Sequence, residues 1–202
     1  MMAMIVPPEA ETARPRKWTL LLLAALTLFG MGGLGALLIH FVQNRDIVEV
    51  IFGTGACYTQ LLLGVLLGAL PAFGAVRLLR WSYMRPLTEH YARLLAPWLG
   101  RRLDRWVISF CAGVGEELLF RGAVQFWLGV PLTAVGFVAL HGYLDPRNPR
   151  VTVYGTYLVL CMLAYGMVAE HTGLWPAMIA HFLFDVILLQ RVHTLGAGLK
   201  AQ

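Results

Sequence analysis

The fold class this sequence predicts is an all-α, polytopic bundle of transmembrane helices, with about six spans and one interfacial amphipathic helix. Three observations predict it. Of the 202 residues, 58% are hydrophobic and only 13% charged, with a mean hydropathy of +0.68, well outside the range of ordinary soluble domains. The apolar residues fall in long runs, several of which reach the ~20 residues that a helix needs to cross a bilayer. The cations gather beside these runs, so the formal net charge of +5 is a topology signal and gives no reason to expect a nucleic-acid partner.

Taken in order, residues 1–17 form a polar, proline-containing tail ending in Arg14, Arg16 and Lys17. The apolar run 18–42 follows directly. It is too long for the h-region of a signal peptide and no small-residue cleavage site follows it, so an uncleaved first span is predicted. A second span is predicted over 51–79, where Gly64 and Gly68 have the GxxxG spacing that lets helix backbones approach closely. Between 80 and 104 the hydropathy falls. Leu87, Tyr91, Leu94, Leu95 and Trp98 recur at helical spacing, with Glu89, His90 and Arg93 largely opposite them. This pattern predicts an amphipathic helix resting on the membrane surface, ended by Pro97 and Gly100. Residues 18–103 therefore hold two spans and the interfacial helix.

Four further membrane helices are predicted in a core over 104–192. The run 106–130 stops at Pro131; a shorter stretch, 132–144, ends in Asp145-Pro146-Arg147-Asn148-Pro149-Arg150. A span over 151–170 meets a tight turn at His171-Thr172-Gly173, and 175–192 is the last, leaving 193–202 as a cytoplasmic tail. Cys57, Cys111 and Cys161 lie inside apolar runs without CxxC spacing, so buried free thiols are expected rather than a disulfide framework or a thiolate metal site. With both termini on the cytoplasmic side, 14 of the 16 Lys and Arg residues fall inside. Only Arg45 falls outside, and Arg121 lies within the membrane, as the positive-inside rule requires.

The most informative stretch is Gly115-Glu116-Glu117-Leu118-Leu119-Phe120-Arg121-Gly122, roughly ten residues into a span. Each charge at that depth costs roughly 2.5–3.5 kcal/mol, which makes a polar task the default expectation. Glu117 and Arg121 are i and i+4, with the glutamate N-terminal, the favoured orientation of a helical ion pair. Glu116 has no local cation, so its partner must come from another helix. Counting inward from the span ends puts Glu116, His141 and Asp185 each about 15 Å deep, with His181 one turn further out. Four polar side chains from three helices can meet at one level, beside a helix that ends near mid-depth and a loop that cannot face lipid. A water-filled cavity is the expected consequence.

Two chemistries suit this set. A carboxylate beside a neutral imidazole can take a proton from water and return it to a leaving amine, while a second histidine, with Asp185 behind it, donates to the developing oxyanion. Alternatively, Glu116, His141 and His181 could hold a zinc ion and leave a position open for water, although the HExxH helix motif is absent. Ser82 and Ser109 lack any nucleophile context. His40, His90 and His193 lie near span boundaries and carry no assigned role; Glu170 and His171 are expected to cap a helix end.

These residues carry a resemblance. Glu116-Glu117-Leu118-Leu119-Phe120-Arg121 is similar to an EExxxR signature, Phe137-Val138-Ala139-Leu140-His141 to FxxxH, and His181-Phe182-Leu183-Phe184-Asp185 to HxxxN/D. In this order they resemble the motifs of the CPBP intramembrane protease family, also called the Abi or CAAX-protease-like family, over residues 104–190. Gly173-Leu174-Trp175-Pro176 is a similar lead-in to the last helix. The resemblance implies that Glu116 and His141 activate water, that His181 and Asp185 stabilise the oxyanion, and that Glu117, Arg121 and Phe137 support the site. Asp185 stands where many relatives have Asn, so it polarises His181, stays protonated or assists a metal. The metal-free glutamate route is favoured over the zinc route.

The expected function is thus an intramembrane endopeptidase in a bacterial inner membrane. Its partners would be membrane lipid and a peptide or membrane-anchored protein substrate. The rivals are a non-catalytic membrane partner or immunity protein of the same fold, and a proton-coupled transporter, against which the single polar cluster and the lack of inverted repeats weigh.

Overall fold

The computed structural model describes residues 17–53 and 55–200. The N-terminal tail with Arg14 and Arg16, and the last two residues of the C-terminal tail, lie outside the described residues. In chain order the helices are α1 (Trp18–Val42), α2 (Ile47–Phe52), α3 (Cys57–Leu79), α4 (Arg85–Leu95), α5 (Arg102–Leu140), α6 (Pro149–Thr172) and α7 (Trp175–Lys200). Among the described residues there is no strand, as expected for apolar runs that must satisfy their own backbone groups in hydrocarbon. Large apolar side chains left exposed, such as Phe29, Leu70, Phe73 and Leu140, lie on helix flanks that lipid would cover. The chain is an integral membrane protein built as a helical bundle.

Five helices are long and apolar enough to span, α1, α3, α5, α6 and α7, and α5 holds both the third and the fourth of the six predicted runs. The runs 106–130 and 132–144 are the two limbs of α5, which folds back on itself at Gly129, with φ 68° and ψ 172°, so that Phe120 of one limb meets Phe137 of the other with ring centroids 4.9 Å apart. Glycine alone reaches that conformation cheaply. The bend falls two residues before Pro131, which then sits in the first turn of the distal limb, where its missing N–H leaves no bond unmade. That limb, 130–140, is about 16 Å long by helical rise, half the apolar thickness of a bilayer. Gly142, with φ 76°, supplies the left-handed cap that stops it.

Helix α7 is the centre of the bundle. The expected close packing at Gly64 and Gly68 is against this helix: a Cβ on Gly64 would stand 2.8 Å from the Pro176 carbonyl, and one on Gly68 2.7 Å from that of Ala180. On the other side, Gly113 of α5 brings a would-be Cβ within 2.9 Å of the Met178 carbonyl. Helix α1 crosses α5 in the same manner, Gly35 against the Leu118 backbone at 2.6 Å and Gly115 against Thr27. Where α1 ends, Gln43 donates to the Ala123 carbonyl at 2.9 Å and Arg45 to that of Gly122 at 3.4 Å. Both carbonyls belong to a π-helical segment, Leu118–Val124, inside α5.

Helix α6 closes the bundle through tyrosines. Pro71 inside α3 has no N–H for the Leu67 carbonyl, and the Tyr165 hydroxyl donates to that carbonyl at 3.3 Å. Tyr157 donates to the Pro71 carbonyl at 2.7 Å.

Several expectations change. The second span begins at Cys57 rather than at 51, because the chain first makes α2, capped by Asp46. The buried Gln60 then ties the break together, donating to the carbonyls of Phe52 at 2.6 Å and Thr172 at 3.0 Å. Cys57 is exposed, while Cys111 and Cys161 are buried free thiols. The expected tail from 193 is helical to Lys200, because Leu195 and Leu199 pack with Ala92 and Leu99. For the same reason the apolar face of α4 lies on α7, with Leu87 and Ala92 buried, rather than resting only on a membrane surface. Arg105, expected as a topology charge, is buried and donates to the Leu99 carbonyl.

Candidate active site

The seven residues singled out in the sequence come together where the two limbs of α5 meet α7. The first limb carries Glu116, Glu117 and Arg121. Glu117 and Arg121 are wholly buried, 3.1 Å apart, the i, i+4 pair that spacing predicts. The π-helical segment begins between them, a local widening found mostly at functional sites. One Arg121 nitrogen also points at the Met162 sulfur, 2.7 Å away. Glu117 Oε2 has no hydrogen-bond partner among the described residues, so the pair is largely desolvated and depends on mutual attraction.

The second limb carries Phe137 and His141. His141 lies one residue past the last helical residue, and its Nδ1–H donates to the Phe137 carbonyl at 2.7 Å. A carbonyl only accepts, so this bond fixes the tautomer: in the neutral ring the proton is on Nδ1 and the bare Nε2 is an acceptor. That Nε2 faces Glu116 Oε2 at 3.7 Å. Phe137 organises the surroundings. The Arg121 guanidinium sits 4.5 Å over its ring, a cation–π contact, and the His141 ring lies 4.3 Å away.

From α7 comes His181, whose Nδ1–H donates to Glu117 Oε1 at 2.8 Å. This corrects one expectation: the carboxylate behind His181 is Glu117, whereas Asp185 lies on the opposite edge of the ring, 3.7 Å from Nε2. Glu116 Oε2 is 3.9 Å from that same Nε2. Because Nδ1 holds its proton toward Glu117, His181 can donate from Nε2 only as the imidazolium, and the carboxylates of Glu116, Glu117 and Asp185 surround it to offset that charge.

Side-chain exposure rises from 0% at Glu117 and Arg121, through 7% at His181 and 13% at Glu116, to 26% at Asp185 and 36% at His141. The first two hold the site from behind; the last four face a cavity of about 300 Å³. The rest of its wall is mainly apolar, with Leu87, Tyr91 and Leu95 supplied by α4. Sequence reasoning missed this wall, because the amphipathic pattern of α4 says that one face is covered but not by what. It also missed Tyr143 and Tyr154, which line the cavity. Burial, with Tyr91 and Asp185 nearby, pushes the Tyr143 phenol up to about 12, so this side chain remains a neutral hydroxyl at the cavity rim. His171, as expected of a helix-end residue, bonds the Met167 carbonyl through Nδ1 at 2.7 Å.

A zinc ion held by Glu116, His141 and His181 would need donor atoms ~3.3 Å apart around it. The Glu116 oxygen is 3.7 Å and 3.9 Å from the two imidazole nitrogens. Among the described residues, no group of three or more His, Cys, Asp or Glu side chains is arranged to hold a metal ion. The donor types suit zinc, but the spacing is too open for a formed ligand set.

Residues 97–187 match the family model described as type II CAAX prenyl endopeptidase Rce1-like. No curated protein and no solved structure matches the chain. The matched segment begins just after α4, ends within α7 and contains Glu116, Glu117, Arg121, Phe137, His141, His181 and Asp185. That match takes in the whole polar cluster, and over these residues the chain is similar to the CPBP, or CAAX-protease, family of membrane proteases.

Proposed function

We propose that the chain is an intramembrane endopeptidase that hydrolyses a peptide bond near the membrane, in a small protein or peptide precursor, using water activated by Glu116 and His141. The observation that carries this reading is the placing of Glu116 Oε2 at 3.7 Å and 3.9 Å from imidazoles on two other helical limbs, at the head of a cavity. Those separations exceed direct hydrogen-bond reach and suit one bridging water. Glu116 Oε2 and His141 Nε2 are both acceptors, so such a water directs its protons at them and its lone pair into the cavity.

In the forward step the water oxygen bonds to the scissile carbonyl carbon as Glu116 takes its proton, and His141 accepts a hydrogen bond from the remaining O–H. The carbonyl oxygen, now an oxyanion, receives the Nε2–H of His181, whose ring is oriented and charge-balanced from behind by Glu117. Breaking the C–N bond sends the electron pair to the amine, which takes the proton carried by Glu116. The low-dielectric apolar wall strengthens each of these interactions. Asp185 lines the cavity as a second negative group beside His181. The positive-inside distribution supports both termini being cytoplasmic, and a bacterial inner membrane is the setting proposed.

The test is cleavage of a membrane-anchored or peptide precursor by purified protein, followed by mass spectrometry of the products. Glu116→Ala, His141→Ala and His181→Ala are each expected to lower turnover by about 10²–10⁴-fold, while chelator leaves the wild type unchanged. Wild-type turnover in Glu116→Ala would reject the proposed base. Activity lost with chelator and restored by zinc would replace this route with a metal-dependent one.

A further inference from the structure

A second cavity, of about 650 Å³, lies between the end of α3, the start of α4 and the last turns of α7. Arg80, just past α3, Arg85, at the start of α4, and Arg191, on α7, all line it. The one carboxylate in the lining, Glu89, is engaged by Arg85 at 2.7 Å and by Arg93 at 3.9 Å. Arg80 and Arg191 make no ion pair or side-chain hydrogen bond among the described residues, although both line the same space. Two arginines, one just past α3 and one on α7, therefore line one cavity with their charge unbalanced.

The rest of the wall is chemically divided. Ser82 adds a hydroxyl near the arginines, whereas Val76, Leu195 and Leu199 are apolar. A soluble anion would use only the first part. An amphipathic one, whose phosphate meets the arginines and whose first methylenes lie along the aliphatic side chains, uses both. Basic pockets at the ends of membrane helices have this composition where they hold anionic headgroups, and a guanidinium is well suited to phosphate.

We propose that this cavity binds the phosphate headgroup of an anionic phospholipid, with Arg80 and Arg191 as its charge partners and Val76, Leu195 and Leu199 receiving the start of the acyl chains. The bound lipid bridges α3 and α7 beside α4. Leu79 and Thr88 line both this cavity and the one at the polar cluster, so the lipid occupies the outer side of the partition whose inner side faces the proposed active site.

Binding is measured on the purified full chain in a zwitterionic detergent, by native mass spectrometry and by titration with dioleoyl phosphatidylglycerol or dioleoyl phosphatidylcholine. Wild type is expected to prefer phosphatidylglycerol. Arg80→Ala/Arg191→Ala should bind it about thirtyfold more weakly, the effect of losing two arginine–phosphate contacts at membrane-surface strength. Arg80→Lys/Arg191→Lys retains the charge and should keep most of the affinity, which separates lost binding from lost folding. Arg102→Ala/Arg147→Ala removes two exposed charges away from the cavity and should bind as wild type. Equal affinity for the two lipids, or equal loss in the Arg102/Arg147 variant, would overturn the proposal. So would displacement of the lipid by equimolar inorganic phosphate, or by an acidic peptide, since either would make the headgroup's lipid origin irrelevant.

Discussion

Replacing Glu117 and Arg121 singly and together tests how the site is held. Both side chains are 0% exposed and 3.1 Å apart. Even at an effective dielectric constant of 20, opposite charges at that distance attract by about 5 kcal/mol. Glu117→Gln leaves a buried guanidinium without its counter-charge, and Arg121→Met leaves a buried carboxylate; each is expected to cost about 3–5 kcal/mol. The double variant contains neither orphan, and the introduced amide still offers an oxygen to His181 Nδ1–H. Its cost is therefore expected to be about 1–2 kcal/mol, rather than the ~6–10 kcal/mol given by adding the singles. Activity should not recover with stability, because the imidazolium of His181 has lost the charge behind it. The assay is reversible unfolding in mixed detergent–dodecyl sulfate micelles, followed by circular dichroism, with peptide cleavage measured on the same samples. Additive losses in the double variant would refute the ion pair; full recovery of turnover would refute the dependence of His181 on the Glu117 charge.

Three further outcomes follow from separate features. Asp185 lies 3.7 Å from His181 Nε2, too far to hydrogen-bond, while Glu117 holds the other ring nitrogen; Asp185→Asn should therefore keep turnover within about tenfold, and a loss beyond about 10³-fold would make Asp185 a proton carrier instead. Tyr165→Phe should cost about 1 kcal/mol by orphaning the Leu67 carbonyl, and Pro71→Ala, which restores a helix donor to that carbonyl, should reduce the loss; an unchanged loss in the Pro71→Ala background would refute the link. The Tyr143 phenol, held up to about 12 by burial, has a higher value folded than the ~10 of an unfolded tyrosine, so its stabilising contribution is whole below about pH 10 and lost as the pH rises toward 12. Tyr143→Phe should fall less steeply than wild type across that alkaline window, and identical profiles would contradict this.

The motifs are legible because helical spacing is rigid: once Glu116, His141 and Asp185 are counted inward from their span ends, their common depth follows from the rise per residue. What they meet is less legible. Glu117 and Arg121 are readable as a pair, but the hydrogen bond from His181 to Glu117 joins residues 64 positions apart and depends on how closely Gly113 lets α7 approach. Hydropathy reads the reversal at Gly129 correctly, as the boundary between the runs 106–130 and 132–144, because Pro131 follows it. It overlooks the end of α2 because Ile51 and Phe52 are as apolar as the span beyond them. The end of α7 is placed early for the opposite reason: Gly196 and Gly198 lower the hydropathy, while contact with α4 keeps the helix going.

The central claim is that Glu116 and His141 act on the same water, and a two-residue kinetic cycle tests it most directly. Turnover of one precursor is measured for Glu116→Ala, His141→Ala and the double variant, all checked for folding. Groups that act as a unit lose their contribution when either is removed, so the account predicts a double variant no slower than the slower single variant, within about threefold. Losses that multiply would contradict it, because they would mean that the two side chains serve separate steps.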